Sequence, residues 1–293
     1  MGQLGLGLQS PYVPSPSKIK FSGAPIKRIS CGGEFSMIVD MRGNLFSFGH
    51  PEYGQLGHNN DGKYFVTSNK LTYNCEVAPR KVAVFVEKAR DGHVSAINDV
   101  EIVDVACGAN HSVAIDQKKR LYTWGFGGYG RLGHAEQKDE LVPRVVKVFE
   151  GIRRGAVEIA AGSSFCLAVN ECGGLFFWGQ NKPTGEATMY PKPVMDLNGW
   201  KIRSIGCCNR SIVVAADDSV ISWGSSPTYG ELGYGDSKSK SSTTPQEMKL
   251  LDGVFIQKIS CGYAHTILLA RCDSDEEKTR LEKLPSFNPE TAQ

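Results

Sequence analysis

The chain has 293 residues, of which 41% are hydrophobic and 22% charged, with a formal net charge of +2. This is the composition of a globular protein with enough apolar residue for a core, and the near-neutral balance gives no drive toward nucleic acid or membrane surfaces. The 33 glycines argue against a mostly helical chain, and no apolar run approaches the ~20 residues of a membrane helix.

The chain opens on Gly2-Gln-Leu-Gly5, the closing element of a repeated pattern. A full unit follows: Ile29-Ser-Cys-Gly32, Met37-Ile-Val39, Leu45-Phe-Ser-Phe48-Gly49 and Tyr53-Gly-Gln-Leu-Gly57. Residues 58–99 interrupt the pattern. The second unit reads Val103-Asp-Val-Ala-Cys-Gly108, Ala-Asn-His-Ser112, Val113-Ala-Ile115, Leu121-Tyr-Thr-Trp124-Gly125 and Tyr129-Gly-Arg-Leu-Gly133. The third gives Ile159-Ala-Ala-Gly162, Cys166-Leu-Ala-Val169 and Leu175-Phe-Phe-Trp178-Gly179. The fourth gives Ile205-Gly-Cys207, Ile212-Val-Val214, Val220-Ile-Ser-Trp223-Gly224 and Tyr229-Gly-Glu-Leu-Gly233. A half unit closes the series with Ile259-Ser-Cys-Gly262, Tyr263-Ala-His-Thr266 and Ile267-Leu-Leu269. The later aromatic-Gly pairs recur at the ~40–50 residues of a propeller repeat, and the excess in the first gap requires an insertion.

Within a unit, short continuous apolar runs such as Val113–Ile115 and Ile212–Ala215 are strands buried on both faces. The next run, ending in Trp-Gly, follows across a short turn and makes a hairpin. The aromatic ring suits the gap between neighbouring blades. The glycine after it lets the chain turn where a Cβ would clash. The predicted structural positions are Phe48, Gly49, Trp124, Gly125, Trp178, Gly179, Trp223 and Gly224.

The Cys-Gly, His-Ser, Leu, Trp-Gly and Gly-Gln-Leu-Gly pattern resembles the repeat of the regulator of chromosome condensation superfamily. The stretches FGHPEYGQLGHNNDGK, CGANHS, WGFGGYGRLGHAEQKDELVPR, GGLFFWG, MYPKPV and SWGSSPTYGELGYGD are similar to a mitotic member of it, from residue 2 to about residue 289. The resemblance implies an all-β fold, a partial seven-bladed β-propeller of about four full blades plus partial blades over residues 1–271. A charged tail, 272–293, follows. Since the chain starts inside a repeat, the expectation is the C-terminal three-fifths of a longer protein.

For function, the resemblance implies a scaffold that binds proteins during cell division. Its partners would be small GTPases of the Rac, Ral or Arf type, with centromere and spindle components. Its place would be nuclear, on chromosomes, and on the cytoskeleton at spindle microtubules and midzone. Guanine-nucleotide exchange on such a GTPase, as the founding member performs on Ran with a wedge-like hairpin, is one alternative. A chromatin-binding module is another. No cofactor and no small-molecule substrate are implied.

The insertion at 58–99 carries the candidate partner-binding residues Lys63, Tyr64, Phe65, Tyr73, Arg80 and Lys81, because propeller insertions project from one face. The other reading is an elongated outer hairpin with no partner. Arg80-Lys81, Lys88 and Arg90 form a modest basic cluster that would bind nucleic acid with steep salt dependence. In the tail, Ser274 to Glu277 has capping-box form, so a short helix is expected to about Leu284, before Pro285.

Other motifs point to packing. Gly128-Tyr-Gly130-Arg-Leu-Gly133 matches G-x-G-x-x-G, but a dinucleotide site needs a following helix, and Pro143 and polar residues follow instead. His111 and His265 share a slot held by Phe35 and Phe165 in other units, which suggests a packed ring or turn hydrogen bond. Cys31, Cys107, Cys207 and Cys261 share another slot and read as small buried hydrophobes. No carboxylate pair, P-loop or C-x-x-C spacing is present, so an enzyme in its own right is not expected, and the nine cysteines read as a reduced, intracellular set.

Overall fold

A computed structural model describes residues 1–10, 12–225, 229–235 and 239–286. Residues 226–228 and 236 of the SWGSSPTYGELGYGD stretch and the last residues of the tail lie outside them. The chain forms two compact units, 1–198 and 199–293.

The first unit is built from antiparallel blades. Strands β1 (Ile26–Cys31), β2 (Phe35–Asp40) and β3 (Leu45–Gly49) pair in order. A separate hairpin follows, of β4 (Lys63–Thr67) and β5 (Lys70–Tyr73). Then β6 (Glu76–Lys81) returns to pair with β3 and completes the blade. A second hairpin, β7 (Val86–Lys88) and β8 (Val94–Ala96), extends the next blade, β9 (Ile102–Cys107), β10 (His111–Asp116), β11 (Leu121–Gly125) and β12 (Glu140–Val145). The join is parallel, with Val86 opposite Arg144. The third blade is β13 (Ala156–Ala161), β14 (Phe165–Asn170), β15 (Leu175–Gly179) and β16 (Thr188–Pro193). The stretch 58–99 is therefore two hairpins flanking a blade strand, not one continuous insertion.

The second unit holds one further four-stranded blade, β17 (Ile202–Cys207), β18 (Ser211–Ala216), β19 (Ser219–Gly224) and β20 (Ser242–Glu247). Beside it lie a two-stranded sheet, β21 (Ile256–Cys261) and β22 (Thr266–Ala270), and helix α1 (Asp275–Glu282). The helix begins on Ser274, whose hydroxyl accepts from Glu277 N while the Glu277 carboxylate accepts from Ser274 N. Arg280 Nη1 donates to Gly253 O at 2.6 Å and ties the helix to the body of this unit.

The second strands β2, β10 and β18 are buried almost throughout, as their apolar runs require. In three of the aromatic-Gly pairs, those of Phe48, Trp124 and Trp178, the ring packs on the closing glycine of the unit before it. A Cβ on Gly5 would fall 2.8 Å from the Phe48 ring, one on Gly57 3.1 Å from Trp124 Nε1, and one on Gly133 3.0 Å from the Trp178 ring. All three glycines also have left-handed φ, so geometry and space both demand glycine. Nε1 of Trp124 and Trp178 has no hydrogen-bond partner among the described residues, so the apolar area of the rings must outweigh two orphaned donors.

A side-chain latch holds the Gly-x-Leu-Gly loops. Ser47 Oγ donates to Leu56 O at 2.6 Å and accepts from His58 Nε2 at 2.9 Å. Thr123 Oγ1 does the same with Leu132 O at 2.6 Å and His134 Nε2 at 3.0 Å. Ser222 Oγ donates to Leu232 O, and there Tyr234 stands where the histidine was and donates to Ser222 O. The third blade lacks a Gly-x-Leu-Gly loop, and its latch position is Phe177, packed 5.6 Å from the Phe165 ring. Thr123→Val leaves Leu132 O and His134 Nε2 without their partner, and the expected loss is about 1–3 kcal/mol by urea unfolding.

The latch makes stability acid-sensitive. Burial pushes His58 down to about 4 and His134 down to about 3, from 6.5. A depressed histidine stabilises the fold fully above its unfolded value and loses that contribution as pH falls. The loss therefore begins near pH 6.5 and runs through these folded values, at about 1.4 kcal/mol per pH unit for each ring. Urea midpoints measured from pH 7 to pH 4 should fall steadily, and His134→Gln should flatten the slope.

Candidate functional site

The β4–β5 hairpin carries the largest concentration of exposed apolar side chains in the 58–99 stretch. Tyr64, Phe65 and Val66 are 44%, 68% and 57% exposed, and Leu71 lies opposite Phe65. Isolated two-stranded hairpins are marginal in water, so this one needs an anchor. At its base Asn74 N donates to Gly62 O at 2.8 Å. Gly62 has φ of +64°, and a Cβ there would fall 2.4 Å from Pro51. Tyr73 supplies the second tie: its hydroxyl donates to Glu52 Oε1 at 2.8 Å and its ring packs 4.7 Å from His50. Burial and the Glu52 carboxylate push the Tyr73 phenol up to about 12, so it remains a donor at neutral pH.

The six predicted contact residues therefore sort by position. Tyr64 and Phe65 face solvent along the hairpin, and Lys63 pairs with Asp61 at 3.1 Å. Tyr73 is the foot of the hairpin on the blade. Arg80 and Lys81 lie on β6, the outer strand, where Arg80 pairs with Glu76 and Lys81 has no ion pair among the described residues. Tyr73→Phe keeps the ring and removes the hydroxyl that ties it to Glu52. Amide exchange across 63–73 should rise several-fold in that variant, with the global unfolding midpoint little changed.

The second hairpin, β7–β8, is set against its blade through Phe85, whose ring meets Tyr122 at 5.3 Å. Lys88 pairs with Glu136 at 3.5 Å, Arg144 joins the same Glu136, and Glu87 pairs with Lys147. Of the basic cluster, Arg80 and Lys88 are thus neutralised by carboxylates, whereas Lys81 and Arg90 have no ion pair among the described residues. Sequence reasoning did not find these partners, because Glu52 and Glu136 sit in loops whose approach only the fold creates.

The remaining motifs are packing devices. Gly128–Gly130 is a single 3-10 turn with Tyr129 in left-handed φ, and the next element is strand β12, not a helix. Arg131 is buried behind it, donating to Gly128 O and stacked 4.6 Å from Phe126. His111 is fully buried, with Nε2 3.1 Å from Cys166 Sγ, and burial holds it neutral, down to about 3. Its ring covers Gly108, as Phe35 covers Gly32, Phe165 covers Gly162 and His265 covers Gly262; a Cβ on each glycine would meet the ring at 2.0–2.1 Å.

In the fourth unit both partners change together. Cys208 takes the glycine slot and Ser211 the ring slot, which gives the Cys207-Cys208 pair its structural reason. The shared cysteine slot is less buried than expected: Cys107, Cys207 and Cys261 are half-buried and Cys31 is exposed, because this slot lies at the end of each first strand. Among the described residues, no group of three or more His, Cys, Asp or Glu side chains is placed to hold a metal. Among the same residues, no helix is long and apolar enough to cross a membrane.

The regulator of chromosome condensation (RCC1) repeat model matches residues 1–39, 42–115, 119–169 and 217–269. The human protein named RCC2 is 57% identical over 291 residues, which is 99% of this chain and 56% of that protein. The chain thus spans little more than half the length of the curated relatives it matches. Among solved structures, human WBSCR16 matches with a TM-score of 0.69 at 25% identity, covering 92% of this chain and 67% of the other. Yeast RCC1 (Prp20), solved bound to Kap60, matches with a TM-score of 0.54 at 17% identity over 84% of this chain and 68% of that one, a likeness of fold.

Proposed function

This chain belongs to the regulator of chromosome condensation repeat family, and from that premise we propose that it is a non-catalytic protein-binding propeller segment that docks a small GTPase through the β4–β5 hairpin. The observation that carries this reading is an apolar hairpin, exposed at Tyr64, Phe65 and Val66, fixed to a rigid blade by Gly62 and Tyr73. Exposed aromatics on a preorganised element are the usual anchors of protein interfaces, because little ordering entropy opposes their burial. The GTPase would be of the Rac, Ral, Arf or Ran type.

The setting we infer is mitosis. The stretches that resemble a mitotic member of the family support a place on chromosomes and the spindle, with centromere and microtubule components as further partners. The family name itself supports a regulatory link to chromosome condensation.

The test uses purified small GTPases loaded with a fluorescent guanine nucleotide. Docking predicts saturable binding of the chain with nucleotide release unchanged. Acceleration of release would replace the scaffold reading with guanine-nucleotide exchange, and absence of binding to all of them would remove it. A steep loss of DNA affinity with salt, against no GTPase binding, would favour the chromatin-binding reading.

A further inference from the structure

The chain has four serines or threonines followed by proline: Ser10, Ser15, Ser226 and Thr244. Three residues further on these meet Val13, Lys18, Tyr229 and Glu247, so Ser15 alone is followed by a cation at that distance. Kinases that act on such sites select proline because it brings no N–H that would go unpaired in the cleft, and a cation that an acidic or phosphorylated lip can bind.

The structure separates the described candidates further. Ser10 is closed on itself: its hydroxyl donates to Tyr12 O at 2.8 Å and accepts from Tyr12 N at 3.3 Å. Thr244 lies within β20, where the backbone is engaged in a blade. Ser15 is exposed, its hydroxyl has no partner among the described residues, and residues 12–20 form neither helix nor strand. Lys18 is exposed and has no ion pair among the described residues. The contact recorded at Ser15 is local and weak, Ser17 Oγ donating to Ser15 O at 3.3 Å, so the Ser15 hydroxyl is left free for a kinase cleft.

The same segment is a strap. Val13 and Ile19 are half-buried and, with Pro14 and Pro16, line a groove of about 530 Å³ over Ile26 and Ile29 of β1. Phe21, at its end, packs edge-on against Phe46 at 4.9 Å.

We propose that Ser15 is the acceptor for a proline-directed serine kinase that requires a cation three residues on, and that phosphate there lifts the strap from the groove. In the transfer, Ser15 Oγ attacks the γ-phosphorus of Mg-ATP as the bond to the ADP oxygen breaks, the hydroxyl proton passes to the kinase's base, and ADP leaves. The product carries about −1.5 to −2 charges at pH 7 beside an apolar groove. A dianion keeps its hydration, and exposed Lys18 and Lys20 offer only weak screened pairs, so the strap moves outward.

The full chain is treated with such a kinase and Mg-ATP, and the site is read by peptide mass. One phosphate at Ser15 is expected, lost in Ser15→Ala and slowed about tenfold in Lys18→Ala, with both variants melting like the parent. Phosphate on Ser10 or Thr244 with Ser15 unmodified overturns the assignment, as does undiminished incorporation in Ser15→Ala. Chymotrypsin cleavage after Phe21 should accelerate at least threefold in the phosphorylated chain. An unchanged cleavage rate overturns the release of the strap.

Discussion

Replacing Trp124 with alanine destabilises the first unit by about 3–5 kcal/mol. The ring is fully buried and belongs to a cluster with Phe35, Leu56, Val82 and Tyr122, so it joins side chains of two successive blades. Its loss opens a cavity that the neighbours cannot fill, because Gly57 beneath it has no side chain and is fixed by its left-handed φ. Domains have only about 5–15 kcal/mol in hand, so the variant should sit near its unfolding threshold at 37 °C. Urea unfolding followed by tryptophan fluorescence reads the change. A loss below about 1 kcal/mol would mean that the ring does not join the blades.

Gly179→Ala is the second large effect. Gly179 has φ of +98°, where an L-residue is strained. Its added Cβ would also fall 2.5 Å from Ser164 O and 2.6 Å from Phe165 Cα, and backbone cannot step aside as a flexible side chain can. Strain and clash together should cost about 3 kcal/mol or more. Gly173 is the internal control: its φ is +82° but nothing lies within 4 Å of its would-be Cβ. Gly173→Ala should cost only about 1 kcal/mol. Equal losses at the two sites would show that φ alone, and not the close approach of β14, explains the Trp-Gly pair.

The fold class was legible in the sequence because its determinants repeat. Continuous apolar runs, a ring before glycine and a closing Gly-x-Leu-Gly recur with fixed order, and a blade needs each of them for a separate physical reason. The latch was present but unread. Ser47, Thr123 and Ser222 precede the aromatic, and His58 or His134 follows the loop, yet a hydroxyl inside an apolar run carries no period of its own. The covarying Cys208 and Ser211 were likewise visible only as a broken motif until the ring-on-glycine contact explained them. In the 58–99 stretch, β6 was masked by its polar residues and Pro79, which an outer strand tolerates and a central one does not. The hairpin's exposed aromatics could be picked out from sequence, but their anchor could not, since Tyr73 and Glu52 meet only when the chain folds back.

The most direct test of the central claim is the affinity of the Tyr64→Ser, Phe65→Ser double variant for the small GTPase that the parent chain binds. Both side chains are exposed, so the melting midpoint should not move. Loss of two aromatic anchors should weaken binding by about thirtyfold or more, equivalent to about 2 kcal/mol. Unchanged affinity in a folded double variant would contradict the account and place the interface elsewhere on the blades.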